Sequence, residues 1–213
     1  LHSTSRRQRQ MCIRDRIEIN DPHFIVELMY AGTNHNMTGQ PVYQQIGFGN
    51  KAFVHKDLWD KLKNLIPFLE QKGWKLKIYD AYRPPLAHQK LREVIPQPGF
   101  FALDPAISPH CRATAIDVAL IDENGSEFVY PTAVDAYDAY YAKEVQAGRS
   151  DEFFNYLKKA RHDYEDADNS TAIANRRLLK ETMESIGLKA LPHEWWHYEL
   201  PDGRTEKYPM IQN

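Results

Sequence analysis

Residues 114–121, Thr-Ala-Ile-Asp-Val-Ala-Leu-Ile, place one carboxylate, Asp117, inside an otherwise apolar run. The run has the length and composition of a strand. A carboxylate among Ala115, Ile116, Val118 and Leu120 is costly unless it is paired or coordinated. The fold must therefore bring Asp117 a partner. His110, in the proline-flanked loop Ser108-Pro109-His110, is one candidate. Taken alone, Asp117 reads equally well as a turn cap or as the partner of Arg112.

The surrounding pattern sets the fold class. Leu58, Leu62, Leu65, Ile66 and Leu69 recur at helical spacing, which predicts a helix over 57–72 closed by Gly73 and kinked or shortened at Pro67. Residues 74–79 alternate as a half-buried strand that ends at Asp80, Tyr82 and Arg83, with Pro84 and Pro85 stopping it. A short helix over 86–95, a Pro/Gly loop over 96–109 and the strand at 114–121 follow. Glu123 to Ser126 reads as a turn into a third strand, followed by an irregular acidic stretch. A helix over 170–186, capped near Asn169 or Ser170 and ended by Gly187, precedes a last strand over 195–200. Residues 17–50 read as an extended arm whose densest turn cluster is Asn36 to Pro41. This order predicts an α+β fold: a single domain with a small, mainly antiparallel sheet flanked by helices.

The 213 residues suffice for one core and are short for two domains. A net charge of -2 gives no basis for nucleic-acid or anionic-membrane binding. No apolar run reaches the roughly 20 residues that span a bilayer. Of the two cysteines, Cys12 and Cys111, the second reads as a small buried thiol. Residues 1–16 are basic, rich in Ser and Gln and without an apolar segment, so they read as a non-native or disordered leader before a domain over 17–213. The expected compartment is the cytoplasm, with the periplasm left open by that foreign start.

Two further clusters carry chemistry. In His193-Glu194-Trp195-Trp196-His197-Tyr198-Glu199, a Glu three residues before a His sits among aromatics that would exclude water. That suits a metal-binding His and a Glu that handles protons. Such a His is by itself more often a satisfied core residue. The segment reads as strand, so it is not the helical H-E-x-x-H motif. Two clusters that together supply His110, Asp117 and His197 match catalytic zinc, which keeps three protein ligands and one open position. In Tyr79-Asp80-Ala81-Tyr82-Arg83-Pro84, Arg83 is placed to present its guanidinium to a site, or equally to pair with Asp80.

These segments, with Asn36-x-Thr38-Gly39-x-Pro41-Val42 and Asn175-Arg176-Arg177, resemble the zinc D,D-peptidases of the VanX type, which hydrolyse D-alanyl-D-alanine. The resemblance covers nearly all of the chain after residue 17. It implies one zinc ion per chain on His110, Asp117 and His197, with Glu194 as general base and Arg83 as transition-state stabiliser. It also implies substrate contacts from Ser108, at the dipeptide carboxylate, and from Tyr30, with Asp135 receiving the ammonium. Residues 130–138 depart from the family pattern around that acid, and Ala113 stands where the family carries Gly. The implied activity is dipeptide hydrolysis in cell-wall turnover or glycopeptide resistance. A carboxypeptidase acting on longer peptidoglycan stems and a non-catalytic fragment binder are the alternatives.

Overall fold

In the computed structural model, residues 16–33, 36–96, 101–134 and 151–211 are described, the side chains of 151–153 excepted. The strands are β1 (Arg16–Glu18), β2 (Phe24–Val26), β3 (Phe53–His55), β4 (Lys75–Asp80), β5 (Ala115–Ile121), β6 (Lys189–Ala190) and β7 (His197–Glu199). The helices are α1 (Val42–Gln45), α2 (Lys56–Leu62), α3 (Ile66–Lys72), α4 (Pro85–Val94), α5 (Asp151–Ala160) and α6 (Ser170–Ser185). The fold is α+β. The run around Asp117 is β5, the middle strand of a five-stranded sheet ordered β2-β4-β5-β7-β6. Only β2 and β4 run parallel; the other pairs are antiparallel. A separate ribbon pairs β1 with β3, and it begins at Arg16, one residue inside the segment read as foreign.

Alternation explains what β5 does. Every residue of the strand is buried. Ile116, Val118 and Leu120 join Leu76 and Ile78 of β4 in the core, while Ala115, Asp117 and Ala119 take the opposite face. The expected helix over 57–72 is divided by a 3-10 turn at Lys63–Leu65. Pro67 causes the break, because it lacks an N–H and its ring crowds the carbonyl four residues back. Gly73 closes α3 at φ 67°, as the sequence anticipates.

Three local expectations differ. The strand after the turn at 123–126 shrinks to one bridge, Ile121 to Glu127. Beyond it the Tyr130 hydroxyl accepts the Leu120 N–H at 3.0 Å and takes the place of a paired strand. α5 lies in the stretch read as irregular, with Tyr156 and Ala160 buried one turn apart. Asn169 precedes α6 but makes no side-chain cap; the Asp166 carboxylate caps the preceding turn instead.

Candidate metal centre

β7 lies against β5 with His197 directly opposite Asp117 and Glu199 opposite Ala115. His197 and Glu199 therefore share the face of Asp117, and the small side chain of Ala115 leaves room there. The strand expected over 195–200 is shorter, because residues 194–197 form a turn in which the His197 N–H reaches the Glu194 carbonyl at 3.3 Å. That turn sets the Glu194 carboxylate beside the His197 ring. Trp195, Trp196 and Tyr198 are buried behind it, with Trp195 stacked on Tyr130 at 3.9 Å.

His110 arrives on a 3-10 turn, His110–Arg112, that enters β5 through Ala113. Ala113 has φ 58°, the one positive φ at a non-glycine among the described residues. A left-handed alanine costs about 1–2 kcal/mol. Here its methyl is fully buried against Tyr82 and Ile211, which offsets part of that cost. The turn holds His110 in place without the glycine the resemblance would supply.

The three side chains converge. Ligand atoms of His110, Asp117 and His197 all lie within 4.8 Å of one another, and all three residues are buried. His110 Nε2 is 3.2 Å from His197 Nδ1 and 3.4 Å from Asp117 Oδ2; His197 Nδ1 is 3.0 Å from Asp117 Oδ1. The other nitrogen of each ring is engaged away from the centre. His110 Nδ1 donates to the Ala81 carbonyl at 2.8 Å, and His197 Nε2 meets Glu199 Oε2 at 3.3 Å. Two lone-pair nitrogens and a carboxylate thus face one point, and this donor set fits a zinc ion.

The ionisable groups of the cluster act strongly on one another. Burial acts to raise the Asp117 pKa, but both histidines outweigh it and hold the carboxyl far below the usual range. Burial pulls His197 down, yet hydrogen bonds to Asp117 and Glu199 drive it up to about 10. Burial raises Glu194, with His197 opposing and the Asp117 charge raising it further. Cys111, beside His110, is a buried free thiol raised to about 11 by burial.

The centre opens into a cavity of about 470 Å³ lined by Arg83, Ser108, Glu194 and all three candidate ligands. Glu194 Oε2 lies 3.8 Å from His197 Nδ1, with 30% of its side chain accessible. Arg83 both lines this cavity and pairs with Asp80, through Nε at 2.9 Å and Nη2 at 2.6 Å, so its two sequence readings hold together. Tyr30 is fully buried with Arg83 over its ring at 5.2 Å, and it is not among the cavity-lining residues. Asp135 lies outside the described residues. Arg112 turns to the carbonyls of Ala106, Thr205 and Tyr208, and Asp117 is held by the histidines instead.

Several supporting contacts escaped the sequence reading. A β-bulge between Ile78 and Asp80 swings Asp80 opposite Asp117, where Tyr43 of α1 donates to its other oxygen at 2.5 Å. Asn36 fixes the loop before α1 by accepting from the Thr38 N–H and hydroxyl and donating to Gly32 and Gln40. At the other end, Arg204 grips Glu199. Asn36, Thr38 and Glu199 were visible in the quoted motifs, but no periodicity links Tyr43 to Asp80 or Arg204 to Glu199.

A buried His-Asp-His set with an adjacent Glu and a cavity-facing Arg defines a metallohydrolase-type centre. The sequence profile of the peptidase M15 family, described as D-ala-D-ala dipeptidase, matches residues 21–212. The chain is 32% identical over 190 residues to a D-alanyl-D-alanine dipeptidase of Escherichia coli K12, covering 89% of this chain and 84% of that protein. Like-named proteins of Enterococcus faecium and Enterococcus faecalis are 26% and 29% identical over 178 residues, covering 82% of this chain and 83% of each. The chain belongs to the D-alanyl-D-alanine dipeptidase family of zinc metallopeptidases. No helix among the described residues is long and apolar enough to cross a membrane.

Proposed function

We propose that this chain hydrolyses D-alanyl-D-alanine to two D-alanines at the cavity floor, on one zinc ion held by His110, Asp117 and His197. The observation that carries the reading is the convergence of those ligand atoms beside Glu194 and Arg83 in one cavity. When bound, zinc supplies Lewis acidity and an acidified water, with a pKa of about 7 in such sites. Glu194 takes the proton of the attacking water on its carboxylate and passes it to the leaving amine. Burial raises its pKa, which strengthens it as the acceptor of the water's proton. Arg83, braced by Asp80, faces the carbonyl oxygen as negative charge develops there.

Ser108, buried and lining the cavity, is the candidate contact for the dipeptide carboxylate. Asp135 remains the proposed receiver of the ammonium. Tyr30 acts through Arg83, whose guanidinium it supports.

A panel of D,D-, L,D- and L,L-dipeptides, with an acylated tripeptide ending in D-Ala-D-Ala, tests the reading in the presence and absence of chelator. Chelator-sensitive cleavage of D-Ala-D-Ala with little action on the acylated tripeptide is expected. Preference for the tripeptide would make the protein a carboxypeptidase. Absence of turnover by zinc-loaded protein would make it a binder.

A further inference from the structure

His197 and Glu199 are two residues apart on one strand, so their side chains project to the same face. Glu199 is 4% exposed, and its Oε2 sits 3.3 Å from His197 Nε2, on the far side of the ring from Asp117. Both carboxylate oxygens are also held by Arg204, whose Nε lies 3.0 and 2.9 Å away and whose Nη2 lies 2.8 Å from Oε2. The arm that carries Arg204 is itself pinned to β5. Thr114 Oγ1 donates to the Gly203 carbonyl at 2.8 Å, and the Leu200 N–H reaches the Thr114 carbonyl at 2.9 Å. A Cβ at Gly203 would come within 2.9 Å of Thr114 Oγ1, so only glycine allows this approach.

We propose that Glu199, clamped by Arg204, is a positioning residue that fixes the tautomer and orientation of His197 and thereby sets how tightly the centre holds zinc. The proposal rests on the metal-centre reading above. A carboxylate at Nε2 holds the ring proton there and leaves the Nδ1 lone pair facing His110 and Asp117. The opposite tautomer would set the Nε2 lone pair against the carboxylate charge, which the buried surroundings would not screen. Arg204 holds both Glu199 oxygens and prevents the carboxylate from turning away. Partners of this kind orient metal ligands, and their loss typically weakens binding 10- to 100-fold.

The test uses the full chain, with Glu199→Ala, Glu199→Gln and Arg204→Met beside the parent. Zinc affinity is measured by competition with a chromophoric chelator, and the His197 tautomer by long-range 15N NMR on histidine-labelled, zinc-loaded protein. Glu199→Ala is expected to bind zinc 10- to 100-fold more weakly and, where zinc is bound, to shift the Nε2 resonance set by the hydrogen bond to the carboxylate. Glu199→Gln keeps a carbonyl acceptor and should fall between it and the parent; Arg204→Met should show the smallest loss. If Glu199→Ala does not fold, Glu199→Gln and Arg204→Met carry the test, because both preserve side-chain volume. Parent-like zinc affinity in folded Glu199 variants overturns the proposal and leaves the metal centre intact. Failure of the parent itself to bind zinc overturns both.

Discussion

Two carboxylate–arginine pairs flank the metal centre, each with a buried carboxylate and an arginine at the cavity, and they differ in what the carboxylate holds. In Asp80–Arg83 both side chains are buried, and Asp80 Oδ2 stands 3.7 Å from His110 Nδ1, whose hydrogen bond goes to the Ala81 carbonyl; in Glu199–Arg204 the carboxylate meets His197 Nε2 at 3.3 Å and the arginine side chain is 45% exposed. The same ion-pair chemistry thus sets a buried guanidinium at the cavity on one side and a hydrogen-bonded carboxylate against an imidazole on the other. Buried ion pairs gain little net stability, because desolvation offsets most of their attraction. Their value here lies in position. Each is set by a backbone device, a β-bulge that turns Asp80 toward the site and a glycine contact that seats the Arg204 arm.

The largest effect lies between the pairs. Glu194→Gln should lower turnover on D-Ala-D-Ala by roughly 10²- to 10⁴-fold, with zinc content by elemental analysis unchanged. Near-parent turnover would remove Glu194 from the chemistry. Arg83→Ala should lower kcat by about 10²- to 10³-fold while the chelator competition gives a parent-like zinc affinity. That signature is the inverse of Glu199→Ala, which loses zinc first. If Arg83→Ala shed zinc as readily, the two pairs would share one role and the comparison would collapse. Tyr43→Phe takes one hydrogen bond from Asp80 and leaves a fully buried carboxylate oxygen short of a donor. A stability loss of about 1–3 kcal/mol by chemical denaturation is expected, with a several-fold drop in kcat and no change in zinc affinity.

The contrast also separates what could be read from the sequence from what could not. Asp117 was legible because an ionised group in an apolar strand demands a partner, whatever the fold. His197 and Glu194 were legible because their spacing within an aromatic run suits one site. The sheet order was not. Phe24-Ile25-Val26 is β-prone but only three residues long, and its place beside β4 is decided by the backbone pairing that completes that edge. Nor were the arginine clamps complete. Asp80 and Arg83 are three residues apart and could be paired by inspection, whereas Tyr43 reaches Asp80 across 37 positions of chain. Glu199 and Arg204 are five apart, but their pairing depends on Gly203 meeting Thr114 across 89 positions. Long-range seating of this kind is decided by packing, and no local propensity encodes it.

The smallest effect distinguishes the Glu199 pair by pH in metal-free protein. Burial acts to raise the Glu199 carboxyl, but hydrogen bonds from His197 and Arg204 outweigh it and hold it at about 2. The unfolded chain takes up this proton near pH 4, the folded protein only near 2. The contribution is therefore complete above that unfolded value and is lost as pH falls toward 2. His197 works the other way. With its pKa raised to about 10, its contribution is full below about 6.5 and is lost as pH rises through 10. Glu199→Gln should remove its share of the acid limb, narrowing the loss of stability between pH 5 and 3 by on the order of 1–2 kcal/mol. It should also weaken the alkaline limb, because one of the two hydrogen bonds that raise His197 loses its charge. Thermal melts of the chelator-treated parent and variant, followed by circular dichroism across this range, measure both. A parent and variant with parallel profiles would mean that Glu199 does not carry its charge against His197, and only the geometric half of the comparison would stand.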